Sequence, residues 1–199
     1  MLERRSALAG ATKHTARGGS GGQRRLRLGE IRGWTLVMVA AFPDTVPDLE
    51  RATQPLLGVD LPADVGSAVT AGGRTIMKTG PEHFWVTMQS AEDITASLRA
   101  AVGPSVGAVT PLSHSRTRIF IEGAAARHVL CMGIPLDFHP DVFPVNRFAL
   151  TGLHHIPILV HRSRAERYEL YAMRSFALWI WEWLTDAALQ FGYEIVESA

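Results

Sequence analysis

The stretch Trp34–Ala41, which reads WTLVMVAA, decides the fold class of this 199-residue chain. Its residues are apolar or β-branched, and Gly33 and Pro43 lie just outside its ends. A short apolar run bounded in this way is typical of a buried strand. The apolar residues that follow recur at helical spacing and predict a helix over Asp48–Leu57. The regular part of the chain therefore begins with a strand and a helix.

Further along, the pattern predicts three more strands, over Arg74–Lys78, Phe84–Met88 and Val106–Leu112. A helix over Ala91–Val102, which we expect Ser90 to begin, lies between the last two strands. Gly58–Gly73 has the glycine, proline and aspartate content of a loop. The resulting order, β-α-β-β-α-β, is that of a ferredoxin-like split βαβ unit.

The rest of the chain nearly repeats this order. A strand over Thr117–Ile121 precedes a helix over Ala124–Met132, and a long helix is predicted over Phe176–Phe191. Four further strands are predicted, over Arg147–Leu153, Ile156–His161, Tyr168–Ala172 and Tyr193–Val196. We therefore predict an α+β protein of two tandem ferredoxin-like split βαβ units, over residues 33–113 and 114–199.

Residues 1–32 are predicted to form a flexible basic arm. The first 33 residues hold eight Lys and Arg against two acids, and the remaining residues hold twelve against seventeen, so the net charge of +1 averages two opposite values. The glycines of Gly18–Gly22 provide no apolar surface that could order the segment. Three interpretations stay open: a tail without a role, an arm that docks on an acidic partner or phosphate, and a mitochondrial targeting peptide.

Composition excludes several classes of protein. Apolar residues make up 47% of the chain, which is enough to bury a core. The single cysteine, Cys131, excludes an internal disulfide framework and a multi-cysteine zinc site, and it suits the reducing cytoplasm, where we expect the protein. No apolar run is long enough for a membrane span. An acidic body, and an arm whose arginines have no aromatic residues between them, argue against nucleic acid as a partner.

Motifs that carry chemistry are missing from the sequence. No G-x-G-x-x-G follows a predicted strand, and no G-x-x-x-x-G-K-[ST] occurs. The eight histidines show none of the H-x-x-x-H, H-x-H or H-E-x-x-H spacings, and the adjacent His154 and His155 would point to opposite faces of a strand. We therefore predict no catalytic, cofactor-binding or metal-ligating residue in this chain.

The final helix carries more apolar surface than one core-facing side needs. At about 100° per residue, its predicted core stripe is Phe176, Ile180, Trp183, Leu184, Ala187 and Phe191. Glu182 and Asp186 face the other way, and Trp179 lies between them. Because tryptophan is enriched at interface hot spots, Trp179 is either covered by another layer of this chain or part of a protein–protein interface.

Several stretches of the chain follow the pattern of a known family. They read LSHSRTRI (112–119), EGAAARHVL (122–130), GIPLDFHP (133–140), YAMRSFA (171–177), WEWL (181–184) and DAA (186–188), with a weaker match in GPEHFW (80–85). Together they resemble the gamma subunit of heterotetrameric sarcosine oxidase. The stretch RSALAG (5–10) is similar to the usual start of that family, which favours an arm that stays in the mature subunit.

The resemblance implies a complex of alpha, beta, gamma and delta subunits. Such a complex demethylates sarcosine with oxygen and passes the methyl carbon to tetrahydrofolate, which yields glycine, hydrogen peroxide and 5,10-methylenetetrahydrofolate. The resemblance places FAD, FMN and NAD in alpha and beta and zinc in delta, and it implies a gamma subunit without a cofactor that packs mainly on alpha. On this basis we predict partner contacts at Arg24 and Arg25, facing acidic groups, and at Trp179 and Trp181.

The implied fold is similar to that of the glycine-cleavage T-protein, whose pattern is matched only in part. Ser113-His114 follow it, but Leu112 replaces the usual valine, and the hairpin over Leu153–Pro157 lacks the catalytic acid. The sequence therefore favours a non-catalytic subunit. Two alternatives are a free-standing folate-binding or one-carbon-transfer protein of T-protein type, and the equivalent subunit of an oxidase or dehydrogenase for another N-methyl amino acid.

Overall fold

The computed structural model of the chain describes residues 5–11, 16–18, 25–90 and 93–196. Within these ranges the chain is a mixed α+β protein with two sheets and few helices, so the predicted class is confirmed. It divides into two compact units, one made of Gly33–His114 and the other of Met1–Arg32 together with Ser115–Ala199. Each unit has its own sheet and its own apolar core.

The strands are β1 (Ala16–Arg17), β2 (Leu26–Glu30), β3 (Thr35–Ala41), β4 (Ala68–Ala71), β5 (Arg74–Lys78), β6 (His83–Met88), β7 (Gly107–Pro111), β8 (Arg116–Glu122), β9 (Phe148–Leu153), β10 (Ile156–Arg164), β11 (Arg167–Met173) and β12 (Tyr193–Ile195). The α-helices are α1 (Val46–Leu57), α2 (Thr95–Val102), α3 (Ala126–Cys131) and α4 (Ala177–Ala188). Short 3₁₀ turns at Arg174–Phe176 and Leu189–Phe191 flank α4. Within the described ranges, no helix is long and apolar enough to cross a membrane.

The unit Gly33–His114 has the split βαβ topology with one added strand. Its sheet has the order β4-β5-β6-β3-β7, and all neighbouring strands are antiparallel. The last four strands of this list have the ferredoxin-like order, and α1 and α2 bury Leu49 and Leu98 in the same core as the strands.

The added strand β4 lies in Gly58–Gly73, which we predicted to be a loop. It has only four residues, and it pairs with β5 across Gly72 and Gly73, whose φ angles of 55° and 76° form a tight turn. So short a strand has too few residues to show an alternating pattern, and the two glycines dominate its composition.

Helix α2 begins at Thr95 rather than at Ala91. We expected Ser90 to begin the helix. Its carbonyl instead accepts a hydrogen bond from the Thr35 hydroxyl at 2.8 Å. The backbone N–H of Thr95 donates to the Asp93 carboxylate at 2.9 Å. Asp93 thus satisfies one of the free N–H groups at the start of the helix. The predicted residues 91 and 92 lie outside the described part of the chain.

The sheet of the other unit contains a strand from the N-terminal segment. Its order is β1-β12-β2-β8-β11-β10-β9. In a plain split βαβ unit β12 would lie beside β8, but here β2 lies between them, parallel to β12 and antiparallel to β8. Helices α3 and α4 bury Leu130 and Leu184 in the same core as the strand residues Ile121 and Leu170.

The prediction of a flexible arm over residues 1–32 is therefore corrected for residues 25–32, which hold β2. Leu26 and Leu28 of β2 are buried, whereas Arg27 between them is exposed, which is the alternation of a strand with one face on a core. Pairing with β8 and β12 satisfies the backbone groups of β2, and burial of the two leucines offsets the entropy of ordering the segment.

Residues 5–11 also pack on this unit. The Leu8 side chain is 1% exposed and belongs to the apolar core. The Ser6 hydroxyl donates to the Glu30 carboxylate and accepts the Leu8 N–H at 2.9 Å, and the Arg174 guanidinium donates to the Arg5 carbonyl. Leu8 thus anchors a segment that composition alone assigns to a mobile arm.

Replacing Leu8 by alanine is expected to lower the free energy of unfolding by about 2 kcal/mol, because the change removes buried methyl groups and leaves a cavity. This value lies near the lower end of the range for Leu→Ala at buried positions, because the N-terminal segment can shift into the cavity. Urea titration of the chain measures it. Leu178→Ala removes the same atoms from an exposed position and should change stability by less than about 0.5 kcal/mol. Equal losses in the two variants would contradict the anchoring role.

Candidate partner interface

Helix α4 places its core-facing stripe differently from the prediction. Its buried residues are Ala177, Ile180, Trp181, Leu184 and Ala188. The predicted stripe instead joined Phe176 to Phe191 across the whole segment. Both of those residues lie in the 3₁₀ turns that flank α4, where each residue advances by about 120° rather than 100°. A uniform α-helical period therefore misplaces Phe176, which is 37% exposed, whereas Phe191 is partly buried against the core as predicted.

Trp181 is 3% exposed and lies in the apolar core. A side chain with so little accessible surface cannot present its ring to another protein. The prediction that Trp181 contacts a partner is corrected on this ground, and its neighbour Trp183 is only partly buried against the same core.

Trp179 is on the exposed side of α4 and packs against the turn between β9 and β10. Its side chain is 38% exposed. Its ring meets His154 edge to face, with 5.9 Å between centroids, and lies 6.1 Å from the ring of His155. His154 also meets Trp183 edge to face at 5.8 Å. Both histidines therefore contact one tryptophan, because they form a turn rather than a strand.

The turn itself has an unusual conformation. His154 has a φ of 51°, in the left-handed region that residues other than glycine rarely adopt. Its N–H donates to the Gly133 carbonyl at 2.8 Å, and its ring lies between two tryptophans. Surrounding contacts therefore hold a costly backbone conformation in place. We refer to Trp179, His154 and His155 as the Trp179 surface.

Of the two predicted arginines, Arg25 lies within the described part of the chain. Arg25 is exposed, its N–H donates to the Gly192 carbonyl at 3.1 Å, and its side chain lines a pocket of about 550 Å³ with Ala124, Ala125, His128 and Phe191. Arg24 lies outside the described residues. Of the four predicted contact residues, only Arg25 and Trp179 are thus seen with accessible side chains.

A series of ion pairs, which the sequence did not predict, crosses the seven-stranded sheet. Both Nε and Nη2 of Arg118 donate to Glu169 Oε2, at 3.0 and 2.6 Å. Arg167 bonds Glu169 Oε1 at 3.3 Å and Glu122 at 3.0 Å. Arg27 continues the series to Glu122 at 3.6 Å and to Glu194 at 3.4 Å. We call these residues the ionic ladder.

The ladder fixes the charge of its buried members. Burial alone would raise the pKa of Glu169, but the Arg118 guanidinium and its hydrogen bonds, helped by His161 and Arg167, lower that pKa to about 2. Burial lowers the pKa of His161 to about 4, an effect that Glu169 opposes and Arg118 supports. Near neutral pH the carboxylate is therefore ionised and the imidazole neutral. A carboxylate held this firmly is poorly suited to proton transfer.

Alternating charges in β8 and β11 are the signal that could have revealed this ladder. The strands read RTRIFIE and RYELYAM, with Arg118 opposite Tyr171 and Glu169 opposite Phe120. Charged residues every second position in otherwise apolar strands indicate paired charges on one face of a sheet. Among the residues that the structure describes, no group of three or more His, Cys, Asp or Glu side chains could hold a metal ion.

The fold of this chain is shared with a solved structure of the glycine cleavage system. The chain is similar to the crystal structure of the glycine cleavage system aminomethyltransferase T from Bartonella henselae, with a TM-score of 0.66 and 15% sequence identity over 87% of this chain and 48% of that chain. At this identity the likeness shows a shared fold. The hairpin over Leu153–Pro157, in contrast, has no carboxylate and forms only a two-residue turn.

The family follows from closer matches. The model of the sarcosine oxidase, gamma subunit family matches residues 43–190, and the chain belongs to that family. It is 33% identical to the sarcosine oxidase subunit gamma of Corynebacterium sp. (strain P-1) over 97% of this chain and 94% of the relative. It is 32% identical to the same subunit of Corynebacterium sp. (strain U-96) over 85% and 82%.

A solved structure agrees with these relatives. The chain is similar to a chain of the heterotetrameric sarcosine oxidase from Corynebacterium sp. U-96 in complex with pyrrole 2-carboxylate, with a TM-score of 0.81 and 32% identity over 93% of this chain and 94% of that chain. The resemblance seen in the sequence is thus confirmed.

Proposed function

We propose that this chain serves as the gamma subunit of a heterotetrameric sarcosine oxidase and has a structural role rather than an active site of its own. The observation that carries the proposal is the similarity, along nearly the whole of both chains, to a chain of such a complex. The firmly ionised Glu169 and the hairpin without a carboxylate support a role without acid–base chemistry.

The complex would contain alpha, beta and delta subunits, with alpha as the main contact. It would convert sarcosine, tetrahydrofolate and oxygen to glycine, 5,10-methylenetetrahydrofolate and hydrogen peroxide. FAD, FMN and NAD would be held by alpha and beta, and zinc by delta. Tetrahydrofolate would be a co-substrate of the complex, and the cytoplasm its location. In this arrangement the gamma subunit covers surface of alpha and keeps water from the route of a reactive one-carbon intermediate.

Two parts of the surface are proposed as partner contacts. The Trp179 surface offers an exposed indole that packs on two imidazoles, and tryptophan is enriched at interface hot spots. The basic residues Arg24 and Arg25 would face acidic groups of a partner, with Arg25 already exposed in the chain.

A free-standing one-carbon-transfer protein is the less favoured alternative. Its hairpin would need an acid, but the turn of this hairpin consists of His154 and His155. The equivalent subunit of a complex for another N-methyl amino acid has the same expected role. The substrate would be bound by beta in either case.

Trp179→Ala is expected to weaken binding of this chain to its partner subunits at least about tenfold, because the change removes the central aromatic group of the proposed contact. Trp179→Phe should retain part of the affinity. The matched control is Phe42→Ala, which removes an aromatic side chain with a similar exposed fraction of 43% from the other unit. Surface plasmon resonance measures the affinity of each variant for the complex that lacks this chain. Equal affinities of Trp179→Ala, Trp179→Phe and Phe42→Ala would contradict the proposed contact.

The function itself is tested by co-expressing the chain with the alpha, beta and delta chains of its organism. We expect a stable four-chain complex on gel filtration that oxidises sarcosine and produces hydrogen peroxide. A chain that elutes alone and binds tetrahydrofolate by itself in calorimetry would instead favour the T-protein-type alternative.

A further inference from the structure

Strand β9 is an exposed edge of the seven-stranded sheet. It pairs with β10 on one side, and among the described residues no strand pairs with its other side. Leu150, in the middle of β9, is 57% exposed. An edge of this kind carries a row of backbone donors and acceptors that can pair with another chain.

The register identifies the groups on the free side. His154 and His155 form a two-residue turn, and Leu153 pairs with Ile156 at its base. In such a hairpin the residues that close the turn exchange backbone hydrogen bonds, and every second pair along the strands does the same. Ala149 and Thr151 therefore bond inward to β10, whereas the N–H and C=O groups of Leu150 and Gly152 point outward.

The edge lacks the features that normally protect a sheet edge. The six residues of β9, FALTGL, include no charge and no proline. Of the other strands at the ends of the two sheets, β1 has two residues, β4 has four, and β7 ends in Pro111. Natural proteins keep exposed edge strands short, charged or interrupted by proline, so a long uncharged edge indicates that it is covered in the working protein.

We infer that β9 takes up an extended segment of a partner subunit as an eighth strand of this sheet. This inference rests on the proposed function, in which the chain works inside a complex. The occupant is defined by hydrogen bonding, because only an extended backbone matches alternate N–H and C=O groups along one edge. Its residue beside Leu150 is apolar, since cross-strand neighbours on one face of a sheet pair by polarity.

The edge also adjoins the Trp179 surface. The turn of His154 and His155, which packs on Trp179, directly follows β9. A partner segment paired with β9 would therefore end beside an exposed indole. Backbone pairing along β9 and packing on Trp179 would belong to one continuous contact.

Hydrogen exchange in the purified complex tests the pairing at single residues. In the complex, the Leu150 and Gly152 amides are expected to exchange as slowly as those of Ala149 and Thr151, within about tenfold. Exchange of Leu150 and Gly152 at least about 100-fold faster than that of their two neighbours would overturn the inference, because it would leave the outer edge open to water.

Substitution gives an independent test. Leu150→Pro removes one outward N–H and none that bonds β10, so the hairpin is retained while the added strand is blocked. The matched control is Thr70→Pro on the edge strand β4. Thr70 directly precedes Ala71, which closes the turn by pairing with Arg74, so the N–H of Thr70 also points outward. We expect Leu150→Pro to weaken binding to the partner subunits at least about tenfold and Thr70→Pro to leave it unchanged. Equal affinities would overturn the inference.

The outcomes also separate this inference from the proposed function. If the unaltered chain forms the four-chain complex but Leu150 and Gly152 exchange rapidly, the edge pairing fails and the function stands. If the chain forms no complex, the proposed function fails. If the chain alone forms a dimer by light scattering and its Leu150 and Gly152 amides are already slow, a second copy occupies the edge, which also overturns the inference.

Discussion

Replacing Glu169 by leucine is expected to lower the free energy of unfolding by about 3–5 kcal/mol, because the change leaves buried positive charge without its partner. Arg118 places two donors on this carboxylate, and Arg167 and the Tyr171 hydroxyl add one each. All of these groups lose a charged acceptor when the carboxylate is removed. Urea titration of the chain near pH 7 measures the loss, provided that the slope of the transition is compared between variants.

Two controls separate charge from packing in this experiment. Glu122→Gln alters a more exposed carboxylate of the ionic ladder, and it should cost roughly 1 kcal/mol or less. Arg118→Met combined with Glu169→Leu replaces both charges by apolar groups and should recover much of the stability lost in the single variant. A double variant that is as unstable as Glu169→Leu alone would show that packing, and not uncompensated charge, causes the loss.

Acidification from pH 7 to 4 is expected to destabilise the chain through His161. Because burial lowers the pKa of His161 in the folded state to about 4, from 6.5 in the unfolded chain, the unfolded state binds the proton first as the pH falls. Stability is then full above pH 6.5 and is lost between 6.5 and 4, by on the order of 3 kcal/mol. Glu169 adds a loss at lower pH, between the ordinary carboxyl pKa of 4.5 and its folded value of about 2.

The variant His161→Leu isolates the first of these effects. Within the described part of the chain, both ring nitrogens of His161 are buried without a hydrogen-bond partner, so leucine should be tolerated at pH 7. Its urea midpoint should fall less than that of the unaltered chain between pH 6.5 and 4. His139→Gln, at an exposed histidine, should behave like the unaltered chain. An unchanged pH profile in His161→Leu would contradict the assignment.

Local pattern predicted the elements whose composition and flanking turns indicate the same structure. The apolar run of β3 and the paired runs of β5 and β6 contain enough information to place them, because their composition and their turns agree. Strand β2 was missed for the opposite reason. Arg27 and the neighbouring basic residues indicate an exposed segment, and the pairing of Leu26 and Leu28 depends on β8 and β12, more than 90 residues later in the chain.

The sequence predicted only some of the residues of the candidate interface, because the others depend on contacts between distant parts of the chain. The helical period identified Trp179 as a residue outside the core, and the structure exposes it. It could not assign Trp181, because the side of α4 that faces the core is selected by packing on the sheet, which the sequence does not show. Arg118 and Glu169 come together only when β8 and β11 pair, so sequence shows two charges in apolar strands and not the bond between them.

The position of β2 has a consequence for synthesis of the protein on the ribosome. Its residues are synthesised before both of its neighbours, because β8 spans Arg116–Glu122 and β12 spans Tyr193–Ile195. The segment between them, Gly33–His114, is continuous and contains its whole core, so it can fold as soon as it has left the exit tunnel. The seven-stranded sheet can close only after β12 has also left the tunnel. Strand β2 therefore stays available to chaperones and to partner subunits until that point.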